Sequence, residues 1–121
     1  MVNNKISTKK TTNSTLTGIR GSVLKLNEVC ALIRDKSVDE SFLLLKFCNR
    51  RVSNLVLDCL KSAVANAENN FNMNSSNLYI SSVLVGKNKS LRRHMPRGRG
   101  KSASYSKFYS MLSIFVSEFD N

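Results

Sequence analysis

The stretch that decides the fold is "RRVSNLVLDCLKSAVANAENN", residues 50–70. Its apolar positions recur with the 3.6-residue period of an α-helix for more than four turns: Val52, Leu55, Val56, Cys59, Leu60, Ala63, Val64 and Ala67. Polar residues occupy the opposite face, and Asn69 and Asn70 are the predicted helix end. The pattern predicts one long amphipathic helix around which the domain is built. The small residues Ala63, Ala65 and Ala67 would allow another element to approach closely there.

Two shorter helices are predicted upstream of this segment. The first runs from about Val23 to Arg34 and follows Ser22, a residue type that caps helix N-termini. Its apolar face contains Leu26, Val29, Cys30 and Ile33. The second, "DESFLLLKFC" at residues 39–48, begins with Asp39 and Glu40, where the helix dipole favours acidic side chains.

Alternating apolar residues predict strands on both sides of the long helix. A weak strand is expected at 15–20, and two stronger ones at 78–85 and 111–117. The residues expected on the inner faces are Leu78, Ile80 and Leu84 in one strand and Leu112, Ile114 and Val116 in the other. The predicted fold class is therefore α+β, with three helices packed on a small antiparallel sheet. Residues 15–121 would form a single domain, preceded by a flexible basic tail at residues 1–14.

Residues 86–110 are almost all polar or basic. This segment is too long to be a structureless loop inside a compact domain. The simplest solution is that both neighbouring strands continue outward as a long protruding β-hairpin. Its turn would lie at "HMPRGRGK", residues 94–101, because Pro96 fixes φ while Gly98 and Gly100 can supply positive φ. About ten residues per arm would project roughly 30 Å.

The charge is strongly asymmetric along the chain. The net charge is +11, residues 26–86 are balanced, and residues 87–107 carry eight basic residues and no acidic one. A basic arm on a neutral core is the pattern expected of a nucleic-acid-binding protein. A basic protein of the membrane surface is the rival class, but the sequence lacks an amphipathic basic helix and any apolar run of membrane-spanning length.

The residues offer no catalytic or metal site. Cys30, Cys48 and Cys59 form an odd set without a CxxC pair, and a role as small apolar side chains in a reducing compartment is favoured over a disulfide or metal. His94 is the only histidine, and paired carboxylates, a Ser/His/Asp set and a phosphate-binding glycine loop are all missing from the sequence. We therefore expect neither an enzyme nor a cofactor.

Two motifs, which follow each other along the chain in the same order as in the family, resemble the L-twenty-two family of large-subunit ribosomal proteins. They are "LKSAVANAENN" at 60–70, similar to that family's SAxANAxxN helix end, and "SLRRHMPRGRGKS" at 90–102, similar to its KRxxPRAxGR hairpin segment. "LNEVCALIRDKSVDESFLLL" at 26–45 is similar to its first two helices, which usually join through an LIRGK turn. The resemblance extends from about Ile19 to Glu118.

The resemblance implies an rRNA-binding protein of the large subunit, in the cytoplasmic or an organellar ribosome. Its implied partners are large-subunit rRNA, neighbouring ribosomal proteins and the nascent polypeptide, with no membrane and no homo-oligomer. The basic residues expected to contact RNA, together with the histidine, are Arg20, Lys25, Lys87, Lys89, Arg92, Arg93, His94, Arg97, Arg99, Lys101 and Lys107. The hairpin residues expected to line the polypeptide exit tunnel are Leu91, Arg92, Arg93, His94, Met95, Pro96, Arg97 and Gly98. Tyr105 and His94 are candidates to stack on bases, although Tyr105 is equally suited to a simple strand position.

Some residues depart from the family pattern. Asp35 replaces a glycine at a turn where a left-handed conformation would suit Gly better than Asp. Gly98 and Lys101 replace an alanine and an arginine, and Phe108 and Met111 stand where an arginine and a histidine are usual. An alternative function remains, because "PRGRG" resembles the Arg-Gly-Arg segment that architectural proteins place in the DNA minor groove.

Overall fold

The computed structural model describes residues 10–119 of the chain. Three helices, α1 (Val23–Ala31), α2 (Val38–Lys46) and α3 (Ser53–Phe71), pack on a sheet of three strands. The strands are β1 (Thr11–Arg20), β2 (Leu78–Pro96) and β3 (Ser102–Glu118). They are antiparallel in the order β1-β3-β2, so the last strand lies in the centre of the sheet. The α+β prediction is confirmed.

The helices form where the periodicity predicts them, and the predicted cap of α1 and the predicted first-turn acids of α2 are both present. The Ser22 hydroxyl accepts a hydrogen bond from the Leu24 N–H at the start of α1, and Asp39 and Glu40 lie in the first turn of α2. The helix ends differ from the prediction. Helix α1 stops at Ala31 rather than Arg34, and α3 continues past Asn69 and Asn70 to Phe71. Asn72 ends α3 in the left-handed conformation, which Asn tolerates better than most residues.

The core lies between the helices and one face of the sheet. The predicted face of α1 is buried, as are Leu112, Ile114 and Val116 of β3, which are 0% exposed. Helix α3 crosses β1, where the Asn66 side-chain amide donates to the Asn13 carbonyl oxygen (3.1 Å). The alanine-rich side of α3 takes part in this packing, because Ala63 and Ala67 are both fully buried.

The first strand begins earlier than predicted. Thr11 pairs with Ser117 and Ser14 pairs with Ile114, so residues 11–14 belong to β1 and not to a flexible tail. These polar residues lack the apolar alternation that marks a strand, but β3 provides a ready partner. The rest of the predicted tail, residues 1–9, lies outside the described residues.

A β-bulge corrects the predicted inner face of β2. Ile80 pairs with Val116, but Ser82 pairs with Phe115, so Ser81 is an extra residue in the ladder. Because an inserted residue reverses which side chains face inward, Val83 is buried and Leu84 is 60% exposed. The prediction of Leu84 as an inner residue is therefore wrong, whereas Leu78 and Ile80 are buried as expected.

Candidate nucleic-acid interface

The second and third strands continue beyond the core as a long hairpin. Past Gly86, pairing continues from Ser90 opposite Phe108 to Pro96 opposite Ser102. Every residue from Arg92 to Ser102 is exposed. Ten residues from Lys87 to Pro96 at about 3.3 Å each give an arm of roughly 30 Å. The predicted hairpin at 86–110 thus has the expected length and position.

The hairpin has two chemically different faces, because directly paired residues of antiparallel strands lie on the same side. One, the serine face, carries the pairs Arg92–Ser106 and His94–Ser104. The other, the tyrosine face, carries the pairs Leu91–Lys107, Arg93–Tyr105 and Met95–Ala103. Hydroxyl groups therefore flank Arg92 and His94 on the first face, and apolar or aromatic side chains flank Arg93 and Lys107 on the second.

The turn at the tip is tight. The Arg97 N–H donates to the Lys101 carbonyl oxygen at 2.6 Å, and residues 98–100 form a turn whose backbone is not helical at Arg99. Gly100 has φ +69°, as the prediction for this glycine requires, but the second left-handed residue is Arg99 with φ 63°. Gly98 lies outside the left-handed region, so the prediction that it supplies positive φ is wrong.

The cations of the hairpin are not neutralised by acidic side chains. Within residues 10–119 the two ion pairs are Lys36–Glu40 and Arg50–Glu28, both on the helical side of the domain. On the hairpin, the Lys89 ammonium lies 5.3 Å from the centre of the Tyr109 ring. Repulsion among these charges opposes an ordered arm in isolation, and a polyanion would remove that repulsion.

A cleft of about 500 Å³ opens where the hairpin leaves the domain. Its walls combine cations with apolar side chains, and they come from four segments of the chain. The residues that line it are Arg20, Gly21, Ser22, Val23, Leu24, Arg51, Lys87, Lys107 and Phe108. Three hydrogen bonds fix the Arg20–Gly21 corner: from the Arg51 guanidinium to the Arg20 carbonyl oxygen (2.7 Å), from the Gly21 N–H to the Phe108 carbonyl oxygen (3.4 Å) and from the Ser110 hydroxyl to the Gly21 carbonyl oxygen (2.8 Å).

The predicted RNA-contacting residues fall into three locations. Nine lie on the hairpin or at its base: Lys87, Lys89, Arg92, Arg93, His94, Arg97, Arg99, Lys101 and Lys107. Arg20 ends β1 and joins Lys87 and Lys107 among the residues that line the cleft, whereas Lys25 is in the first turn of α1 and does not line it. The sequence prediction missed Arg51, which belongs to a charge-balanced segment and reaches the cleft only through the fold.

The cysteines are in the free thiol form, and two of them belong to the core. Burial raises the pKa of the Cys30 thiol to about 11, although the nearby Arg34 opposes the rise, and burial also raises the pKa of Cys59. Within the described residues no group of His, Cys, Asp and Glu side chains is arranged to hold a metal ion. In residues 10–119 no helix is both long and apolar enough to cross a membrane.

Comparison with known proteins identifies the family. The family model described as Ribosomal protein L22p/L17e matches residues 14–117. "Large ribosomal subunit protein uL22" of Rickettsia typhi is 44% identical over 100 residues, covering 83% of this chain and 84% of the relative. The proteins of the same name from Wolbachia pipientis and Orientia tsutsugamushi are 40% and 43% identical, covering 83% and 91% of this chain and 86% and 95% of theirs. The chain belongs to the L22p/L17e family of ribosomal proteins.

Proposed function

We propose that this ribosomal protein is a structural constituent of the large subunit that binds large-subunit rRNA through its hairpin and the adjoining cleft. The observation that carries the proposal is the arm itself, which has eight cations and no acidic residue at 87–107 and no buried side chain from Arg92 to Ser102. A two-stranded ribbon without a core is marginal in water. Binding to RNA phosphates supplies the missing stabilisation, because each contact releases condensed counterions. As predicted, the chain belongs to a structural class of protein and not to a class of enzymes.

The salt dependence of rRNA binding tests this proposal. A transcript of the large-subunit rRNA of Rickettsia typhi is a suitable probe, because one relative comes from that bacterium. Each lost phosphate contact should reduce the slope of log K against log salt by about 0.7–0.9. The double variant Arg92→Gln/Arg93→Gln should therefore reduce the slope by about 1.4–1.8 and weaken binding at low salt.

A matched control removes the same charge elsewhere. Lys46 and Lys61 are exposed cations of α2 and α3, away from the hairpin, and Lys46→Gln/Lys61→Gln lowers the net charge equally. We expect this variant to keep the wild-type slope. Equal slopes for the two double variants would contradict a hairpin-centred interface.

The finer part of the proposal is that the hairpin reaches the polypeptide exit tunnel. It is supported by the family resemblance of residues 90–102 and by the length of the arm, which is enough to extend far from the globular domain. A photo-crosslinker at Met95, near the tip, should label nascent chains in ribosomes stalled during translation. The same group at Leu44, an exposed residue of α2, should not. Labelling from both positions or from neither would refute the tunnel assignment.

The alternative of a minor-groove DNA-binding protein is not favoured. Family membership points to the ribosome. In addition, residues 98–100 form a closed turn, bounded by the hydrogen bond from Arg97 to Lys101, and not an extended segment that could follow a narrow groove.

A further inference from the structure

The cleft at the base of the hairpin has a composition that phosphate binding alone does not explain. Two of its lining side chains are apolar and well exposed, Leu24 at 76% and Phe108 at 55%. The rest of the inward-facing row of β3 behaves differently, because Leu112, Ile114 and Val116 are fully buried and Ser110 is also 0% exposed. Phe108 continues this row beyond the core, so its ring presents an apolar face to solvent.

Phe108 and Lys87 lie on the same side of the sheet. Lys87 pairs directly with Ser110, and Phe108 precedes Ser110 by two residues on β3. Side chains two residues apart on a strand share a face. Across the cleft, one bond from Arg51 holds the Arg20 carbonyl oxygen, and this bond keeps a guanidinium at the wall.

The charge of the cleft is of one sign. Its lining residues include four cations and no acid. Lys87 lies on the side of Phe108 and Arg51 lies across the cleft, whereas Arg20 and Lys107 occupy strand positions that face the other side of the sheet. The wall formed by Ser22, Val23 and Leu24 is also the start of α1, whose first turn contains no acid. The positive end of this helix adds to the potential of Lys87 and Arg51. An occupant must therefore combine negative charge with an apolar or aromatic surface.

We propose that the cleft binds a single unstacked rRNA nucleotide, with its base against Phe108 and Leu24 and its phosphates beside Lys87 and Arg51. This inference rests on the proposed rRNA binding and specifies how one part of the surface binds. RNA loops and bulges present unstacked bases that proteins hold against aromatic rings while basic side chains contact the phosphates. A volume of about 500 Å³ is in the usual range for a small-molecule site. Within residues 10–119 the stacked ring pair is Tyr79–Phe119, so the Phe108 ring is not stacked on another ring.

The test compares variants of the full chain with the same rRNA transcript. Phe108→Ala removes the ring without changing the charge, and Phe108→Tyr keeps an aromatic ring at this position. Phe47→Ala is the matched control, because Phe47 is 75% exposed at the end of α2 and does not line the cleft. Circular dichroism and urea unfolding establish that each variant is folded, which the exposure of both side chains predicts.

We expect Phe108→Ala to weaken rRNA binding by about 5- to 150-fold, the loss of one base–aromatic stack, without changing the salt slope. Phe108→Tyr should bind as the wild type does, and so should Phe47→Ala. Ultraviolet crosslinking of the wild-type complex should join Phe108 to one nucleotide. In contrast, Lys87→Gln should lower the salt slope by about 0.7–0.9.

Three outcomes separate this inference from the proposed function. If the wild-type protein binds rRNA but Phe108→Ala binds equally well, the nucleotide cleft is wrong and the rRNA-binding function stands. The nucleotide cleft is also wrong if that variant loses only its incorporation into subunits, which would indicate an acidic protein segment in the cleft. If the wild-type protein does not bind the transcript, the proposed function itself fails.

Discussion

Replacing Gly100 by Ala should loosen the tip of the hairpin, whereas the same replacement at Gly98 should not. Gly100 has φ +69°, a conformation that costs a residue with a Cβ about 1–2 kcal/mol. Gly98 lies outside the left-handed region, and a Cβ there would meet nothing within 4 Å. Ala at Gly98 should therefore stabilise the turn by about 0.4–1 kcal/mol, because it restricts the unfolded chain. The two glycines are two residues apart in one turn. Comparing Gly100→Ala with Gly98→Ala therefore isolates the effect of backbone conformation on the stability of the turn.

Both changes should act on the hairpin alone. The arm from Arg92 to Ser102 buries no side chain, so its opening does not expose the core. Hydrogen exchange of the amides paired between Leu91–Met95 and Ala103–Lys107 reports that opening. We expect exchange about 5- to 30-fold faster in Gly100→Ala and about 2- to 5-fold slower in Gly98→Ala. The midpoint of urea unfolding should stay the same in both variants.

A third variant, at the position next to Gly100, should change the exchange rate in the direction opposite to Gly100→Ala. Arg99 adopts φ 63° without being glycine, so Arg99→Gly should relieve strain and slow exchange, although the greater freedom of Gly in the unfolded chain offsets part of the gain. Equal exchange rates in the two Ala variants would refute the assignment of the left-handed position to Gly100. Faster exchange in Arg99→Gly would refute the assignment of strain to Arg99.

Three further predictions concern the globular part. Asp35 has φ 61°, so Asp35→Gly should raise the free energy of unfolding by about 0.5–1 kcal/mol in urea titrations, and an unchanged or lower value would contradict strain there. The Cys30 thiol has its pKa raised from 9.0 to about 11, so the unfolded chain loses this proton first and stability should fall as the pH rises from 9 to 11. A thiol reagent at pH 8 should modify the half-buried Cys48 well before Cys30 or Cys59, and equal rates would contradict their burial.

Local patterns in the sequence were sufficient to predict the helices. The side chains of Val56, Cys59 and Leu60 recur at helical spacing, and all three are buried in α3. Ser22 marks a helix start through its hydrogen bond and Asp39 through its charge. Both effects act within one helical turn, so they can be predicted from neighbouring residues in the sequence. The long hairpin followed from length and charge, since a structureless loop of that length is uncommon in a compact domain and continuing both strands was the simplest arrangement.

Features that depend on pairing between distant segments were not predicted. The bulge at Ser81 reverses the facing of Leu84, but nothing within the segment 78–85 distinguishes a bulged strand from a regular one. The polar residues 11–14 become a strand only because the edge of β3 is available to them. For the same reason Arg51 could not be assigned to the interface, because its position depends on the contact between the start of α3 and the end of β1.

The cleft gives a physical meaning to the departure at Phe108. The family resemblance places an arginine at this position, and an arginine would add a phosphate contact whose strength falls with salt. Phe108 adds no charge, but Arg51 and Lys87 already line the same cleft. With Phe108 in place of arginine, the cleft loses one of several ionic contacts and gains a stacking contact. Salt screens a stacking contact little. We therefore expect Phe108→Arg to bind rRNA with a steeper salt slope than the wild type, by about 0.7–0.9, while affinity at high salt falls. A slope equal to that of the wild type would show that position 108 does not face RNA.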